Sequence, residues 1–277
     1  MPLTARHLSR PARAACVLSI AGSDSSAGAG IQADLKTFAA FGVHGLTAFT
    51  AITAQNTRTI NSVHVLPPAL VLDQLDTLRV DFRIAAVKIG MLGNSANIRA
   101  VAQWLQSNRL SNIVIDPVLI SSSGQPLLNA DALSVLRKQL LPLADVLTPN
   151  LPEAEALLAR RVGSQYPMRH AARDLLNLGA RAVLLKGGHK AGARRVRDYF
   201  IEASTETRFE HTRLPFSARG TGCTLAAAIA AGLALEMSQL QSVRSAERYV
   251  QRCFRHAYRV GKGEVRFLAH IRPPTAD

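Results

Sequence analysis

The sequence predicts a single α/β domain: a mostly parallel central sheet in a three-layer arrangement, with helices on both faces. Three observations carry this expectation. Short, β-branched apolar runs alternate along the chain with helical patterns. The runs are continuously apolar rather than alternating, which indicates strands covered on both faces and hence a parallel sheet between helix layers. The motifs rich in glycine and polar groups fall just after those runs, at the strand C-terminal ends where open α/β sheets bind ligands.

In chain order, strands are expected at Val17–Ile20, Leu46–Ile52, Ala86–Ile89, Asn112–Ile115, Asp145–Leu147 and Ala182–Leu185. Helices are expected at Ile31–Phe41, Pro68–Leu78, Asn94–Gln106, Asp131–Leu140, Pro152–Ala159, Met168–Leu178, Thr224–Leu235 and Ser238–Arg259. The stretch Arg195–Leu214 reads as two more strands, antiparallel at the sheet edge. No repeat, low-complexity segment or long linker divides the pattern, so residues 16–277 are read as one domain. Met1–Ala15 stands apart: it is Arg-rich, lacks acidic residues and has no apolar core like that of a secretory signal. A disordered basic tail is expected there, a transit peptide being the other composition it fits.

Composition narrows the function classes. With 277 residues, 48% of them hydrophobic, the chain buries a large core. No apolar run reaches the roughly 18 residues of a membrane span, so no membrane partner is expected. Cys16, Cys223 and Cys253 are odd in number and far apart, which gives neither a disulfide framework nor a Cys-x-x-Cys pair. A reducing cytoplasm fits that pattern. The net charge of +14 favours anionic substrates through the field of the surface. Only 5% of residues are aromatic, and no helix-turn-helix, zinc-finger or RNP signature is present, so no specific nucleic-acid partner is expected.

The most informative stretch is Gly220-Thr221-Gly222-Cys223-Thr224, followed by a run of small residues to Leu235. A glycine turn opening a helix aims backbone N–H groups and the positive dipole end at one point, which suits a phosphate. A cysteine in that first turn is expected to have its thiol pKa lowered by the same field. An ordinary helix start with an inert cysteine is the plainer alternative.

After the first strand comes Ala21-Gly22-Ser23-Asp24-Ser25-Ser26-Ala27-Gly28-Ala29-Gly30. Gly28, Gly30 and Ala33 match the dinucleotide fingerprint, but no acidic residue occurs between Asp34 and Asp73 to take a ribose. The loop is read instead as a backbone wall that a small flat ligand can approach closely. There is no Walker A sequence, no His-Glu-x-x-His and no Gly-x-Ser-x-Gly. Asp116-Pro117, Thr148-Pro149-Asn150-Leu151-Pro152-Glu153 and Lys186-Gly187-Gly188-His189 each follow a strand. Asp116, Asn150 and Glu153 offer oxygens suited to Mg²⁺, although Asn150 and Glu153 suit helix capping equally. Lys186 can lie along a phosphate as a point charge, or be a solvated strand end. Together these groups make a kit for phosphoryl transfer.

On these motifs the chain resembles the hydroxymethylpyrimidine/phosphomethylpyrimidine kinases of thiamine biosynthesis, within the ribokinase-like superfamily. Gly28-Ala29-Gly30-Ile31-Gln32-Ala33-Asp34-Leu35-Lys36-Thr37, Thr53-Ala54-Gln55-Asn56-Thr57 and Lys88-Ile89-Gly90-Met91-Leu92 add to the resemblance, which runs from about Val17 to Val260. It implies a ribokinase-like domain, a homodimer, and use of ATP with Mg²⁺ to phosphorylate 4-amino-5-hydroxymethyl-2-methylpyrimidine and then its monophosphate. It implies Gln55 on the aminopyrimidine edge, and Gly22, Ala29, Met91 and Asp34 on the substrate side. It implies Gly220, Thr221, Gly222 and Cys223 as the anion hole, with Cys223 at the position of the base. Lys186 is expected near the transferred phosphate, Asn150, Lys186 and Thr221 on ATP, and Asp116 and Glu153 at the metal.

Three positions depart from the family pattern. Ser122 stands where many relatives carry lysine, in a loop expected to cover the site. Arg219 precedes the glycine turn where histidine is usual, and is expected to supply the missing charge from the other side. Gly261-Lys262-Gly263-Glu264 replaces the usual Gly-His-Gly tail. Two rival readings stay open at this level: a pyridoxal kinase, and a catalytically silent protein that binds the pyrimidine or nucleic acid through its basic surface.

Overall fold

The computed structural model describes residues 14–119, 130–188 and 194–271. Residues 1–13 of the expected tail, Ser122 with its loop, and His189 lie outside them.

A nine-stranded sheet is ordered β3-β2-β1-β4-β5-β6-β7-β8-β9. Strands β1 (Cys16–Asp24), β2 (His44–Gln55), β4 (Ile84–Ile89), β5 (Ile113–Ile115), β6 (Val146–Leu147) and β7 (Ala182–Leu185) run parallel. β3 (Ile60–Val65) closes one edge antiparallel, and the hairpin β8 (Arg195–Glu202) and β9 (Glu206–Thr212) closes the other. The mostly parallel sheet and its antiparallel edge pair are therefore as expected.

Side chains alternate between two apolar layers. Val17 faces α1 (Gly30–Ala40), α7 (Thr221–Ala234) and α8 (Gln239–Arg255), whereas Leu18 and Ile20 face α2 (Pro68–Asp81), α3 (Ser95–Ser107) and the layer that includes α5 (Leu151–Leu158) and α6 (Met168–Leu176). The small residues of α7 are almost all buried and let this helix lie close to the sheet. At Gly232 a Cβ would sit 2.8 Å from Ser242 Oγ, so glycine sets how closely α8 crosses α7.

Four differences from expectation have physical causes. β3 carries Asn61, Ser62 and His64 and is largely exposed, so it shows no apolar face to read. The expected helix Asp131–Leu140 is α4 (Ala130–Val135) passing into a π-helical turn at Leu136–Leu140. Asp145 does not begin a strand: its carboxylate accepts from Ile113 N–H at 2.8 Å and pairs with Arg181. Two residue pairs, β10 (Ala218–Arg219) and β11 (Arg266–Phe267), form a separate parallel ribbon that fixes the approach to Gly220.

Candidate active site

A cleft of about 790 Å³ opens beyond the C-terminal ends of the parallel strands. It brings together Gly22, Ala29, Gln55, Met91, Asp116, Asn150, Glu153, Lys186 and Gly220–Cys223 from widely separated parts of the chain.

The loop after β1 is folded around one carboxylate. Asp24 Oδ1 accepts from Ser26 N–H and Oγ–H at 2.8 and 2.7 Å. Its Oδ2 accepts from Ala29 N–H at 2.8 Å and from Arg219 Nε at 3.2 Å. Gly30 opens α1 with φ +57°, and a Cβ there would lie 2.4 Å from Gly22 O. Gly22 itself sits at a register shift in β1 and presses on Met91, whose Cε would be 2.8 Å from a Cβ. Backbone thus forms this wall of the cleft.

The glycine turn does open a helix. Gly220 is the N-cap of α7 with φ +75°, a left-handed conformation that glycine adopts without strain. A Cβ at Gly220 would lie 2.0 Å from Gly28 O, so the two glycine loops meet backbone to backbone. The first N–H groups of α7, which lack partners within the helix, point with its positive end into the cleft. Beside Gly222, at 3.2 and 3.3 Å from where its Cβ would be, stand Lys186 Nζ and Asp116 Oδ2.

Three strand ends supply the charges. Lys186 Nζ pairs with Asp116 Oδ1 at 2.9 Å, and Thr148 Oγ donates to the same oxygen at 3.3 Å. Burial alone would lower the Lys186 pKa, but the carboxylates of Asp116 and Glu153 hold it above its ordinary value. Lys186 is therefore a partly buried, paired cation lining the cleft and not a solvated strand end. Asn150 and Glu153 realise the capping reading: Asn150 Oδ1 accepts from Glu153 N–H at 3.0 Å and Glu153 Oε2 accepts from Asn150 N–H at 2.7 Å. Both residues also line the cleft, so the cap and the site coincide. Burial pushes the Glu153 carboxyl up to about 7, against the pull of Lys186.

Cys223 overturns one expectation. It keeps partial exposure in the cleft. Its thiol is nevertheless pushed up to about 11 by the surrounding protein, although the nearby Lys88 ammonium pulls the other way. Burial, with Asp116 and Asp34 nearby, outweighs the pull of Lys88 and of the Gly30 N–H, which favours the thiol over the thiolate.

Two further expectations need correction. Asp34 does not line the substrate cleft: it is fully buried, bonded to Ser19 Oγ at 2.6 Å and paired with Lys88 Nζ at 2.8 Å. It holds Lys88, and Lys88 faces the cleft. Burial would lower the Lys88 pKa, but Asp34 reverses this and keeps the ammonium charged. Lys88 gained no role from sequence, although a lysine inside an otherwise apolar strand was the available signal. Arg219 does not compensate a phosphate charge. Its guanidinium is taken up by Asp24, by Asn56 O at 3.2 Å and by Gln55 Oε1.

Comparison with known proteins gives this geometry its context. A family model described as phosphomethylpyrimidine kinase matches residues 24–267. The hydroxymethylpyrimidine/phosphomethylpyrimidine kinase of Haemophilus influenzae is 42% identical over 257 residues, covering 89% of this chain and 93% of that protein. The thiamine biosynthesis bifunctional protein ThiED of Geobacter sulfurreducens is 44% identical over 248 residues, and the match covers 89% of this chain but half of that longer protein. The crystal structure of an ADP complex of Bacillus subtilis pyridoxal kinase superposes with a TM-score of 0.84 at 32% identity, over 93% of this chain and 98% of that one. Family model, fold and kinase relatives agree, and the chain is a phosphotransferase of the phosphomethylpyrimidine kinase family.

Proposed function

We propose that this chain transfers the γ-phosphoryl group of ATP to 4-amino-5-hydroxymethyl-2-methylpyrimidine, and then to its monophosphate. The observation that carries the reading is the convergence at Gly222: an anion-binding helix start, the Lys186–Asp116 pair and Cys223 lie in one cleft with Gln55. Phosphoryl transfer needs positioning and neutralisation of spread charge more than covalent chemistry.

The N–H groups of Thr221, Gly222 and Cys223 cradle the transferring phosphoryl oxygens, with Lys186 as the adjacent point charge. Asn150, Lys186 and Thr221 hold the nucleotide phosphates. Asp116 and Glu153 present an oxygen-only donor set, which suits Mg²⁺. When bound, Mg²⁺ neutralises phosphate charge. Cys223 accepts the hydroxyl proton as the thiolate, a minor species in the free protein, and Lys88 stabilises that anion.

Gln55 selects the ring. Arg219 can only donate, so Gln55 must turn Oε1 toward the guanidinium, which leaves Nε2 for the ligand. An amide N–H donor suits an unprotonated pyrimidine nitrogen. Gly22, Ala29 and Met91 pack the ring faces. A homodimer across the β3 edge is supported by the exposed Ile52 on the strand beside it. The three free cysteines support residence in the reducing cytoplasm.

The direct test is Mg²⁺-dependent ATP consumption with the pyrimidine, its monophosphate and pyridoxal presented separately. Turnover of both pyrimidines over pyridoxal is expected. Turnover of pyridoxal alone, the activity named for the superposed structure, overturns the Gln55 assignment.

A further inference from the structure

In the same cleft, a second cluster of ionisable groups has no part in the chemistry above. It is made by the edge hairpin and the helix that covers it. In the β8–β9 register His211 stands opposite Val196. Asp198 lies two residues beyond Val196 on β8, so its side chain leaves the same face of the hairpin as His211. Glu247 of α8 meets both from the covering layer: one donor atom from each of the three side chains lies within 4.8 Å of the others.

Two of these side chains are deeply buried. Asp198 is 4% exposed and Glu247 is 8% exposed. One Asp198 oxygen accepts from Gly187 N–H. Glu247 Oε1 is buried and has no hydrogen-bond partner. An unpaired buried carboxylate oxygen next to a second carboxylate is an unfavourable arrangement unless a cation or a proton enters it. Lys186 does not fill that role, because its ammonium is bonded to Asp116 at 2.9 Å.

We propose that Asp198, His211 and Glu247 form a binding site for one divalent transition-metal ion, with zinc the best match. Two carboxylate oxygens and an imidazole nitrogen are borderline ligands of the kind zinc accepts, and the two negative charges balance one dication. Three atoms within 4.8 Å of one another share a point no more than about 2.8 Å from each. Contraction by less than about 1 Å brings all three to the zinc bond lengths of about 2.0–2.2 Å. Three protein ligands leave a fourth position, which faces the cleft and takes water. The site is separate from the oxygen-only set of Asp116 and Glu153. Its effect is mechanical: the ion ties β8 and β9 to α8 across the layer interface.

The test uses the full chain, stripped with a chelator and then titrated with Zn²⁺. Calorimetry is expected to give one equivalent that is lost in both Glu247→Gln and His211→Asn, and Zn²⁺ is expected to raise Tm in the parent chain alone. Glu247→Gln is isosteric, so its fold is expected to survive. The cysteines and histidines elsewhere are controlled by substituting Co²⁺ in the parent chain. Ligand-field absorption without a thiolate-to-cobalt charge-transfer band is the expected signature. No bound equivalent in the parent chain, unchanged binding in both variants, or a thiolate band each overturns the site.

Discussion

The two ends of the cleft are built by opposite means. The substrate end is backbone: glycine loops pressed together, and a single carboxylate, Asp24, collecting N–H groups from its own loop. The end proposed for phosphate is side-chain charge: Asp116, Glu153 and Lys186 each come from a different strand end, the two carboxylates buried and Lys186 partly so. A flat, weakly charged ring needs close contact and one oriented amide. A phosphoryl group needs charge that stays ionised in a dry place, and only a partner of opposite sign makes that affordable, as Lys186 and Asp116 do for each other.

The sharpest way to break the comparison is at the seam. Gly220→Ala adds a Cβ 2.0 Å from Gly28 O in a left-handed conformation, so both loops must separate. Turnover is expected to fall by more than about 10³-fold in a coupled ATP assay, since the anion hole is lost. Far-UV circular dichroism is expected to stay near that of the parent.

Next in size is Cys223→Ala, which tests the charged end. A drop in kcat of about 10²–10³-fold is expected, in the range of a lost general base. Because burial raises the thiol to about 11, the reactive thiolate is scarce at neutral pH and grows as pH rises. Parent kcat is therefore expected to climb with pH toward that value, whereas Cys223→Asp flattens the profile. Near-normal kcat in the alanine variant removes Cys223 from the role.

A smaller effect is expected at the substrate end. Gln55→Ala should raise KM for the pyrimidine by about 10-fold, the loss of one hydrogen bond to a ligand, and leave kcat within a few-fold. Arg219→Ala should raise the same KM without changing KM for ATP. Since both residues act through one contact, the double variant is expected to be no worse than Gln55→Ala; additive losses separate them.

The smallest effect concerns stability. Burial raises the Glu153 carboxyl from 4.5 to about 7, so the folded chain holds that proton more tightly than the unfolded one. The stabilisation is complete below about pH 4.5 and is lost as pH rises through about 7. Glu153→Gln keeps an oxygen for the cap and is expected to flatten Tm across that window by a few degrees, as thermal scans would show.

Much of this was legible beforehand because the parallel strands are apolar on both faces and their ends carry glycine, proline and charge in short ordered motifs. Val17–Ile20 and Ala182–Leu185 announce themselves, and Gly220–Thr224 announces a helix start. What was hidden was pairing at long range. Asp34 sits in a recognisable motif, but its partner Lys88 is 54 residues away, and only packing shows that Asp34 is buried against Lys88 and not on the cleft wall. The Cys223 thiol was misjudged because a helix dipole is local, whereas desolvation depends on everything around the group. Arg219 was read as a stand-in for a phosphate cation, yet the ribbon β10–β11 turns it toward Gln55. Strand β3 escaped because an exposed edge needs no apolar pattern.

The meeting of Gly28 with Gly220 also bears on how the molecule is made. Arg219 and Asp24 touch across 195 positions of sequence. The turn that closes the loop after β1 is therefore synthesised long after that loop. Such separation is high contact order, which slows folding because loop-closure entropy is met before the contact forms. Until α7 arrives, the first loop has no lid and the strand ends have no anion hole. The cleft is thus complete only once α7 has been made, and a polypeptide stopped short of Gly220 would lack the wall that Gly220–Cys223 supply.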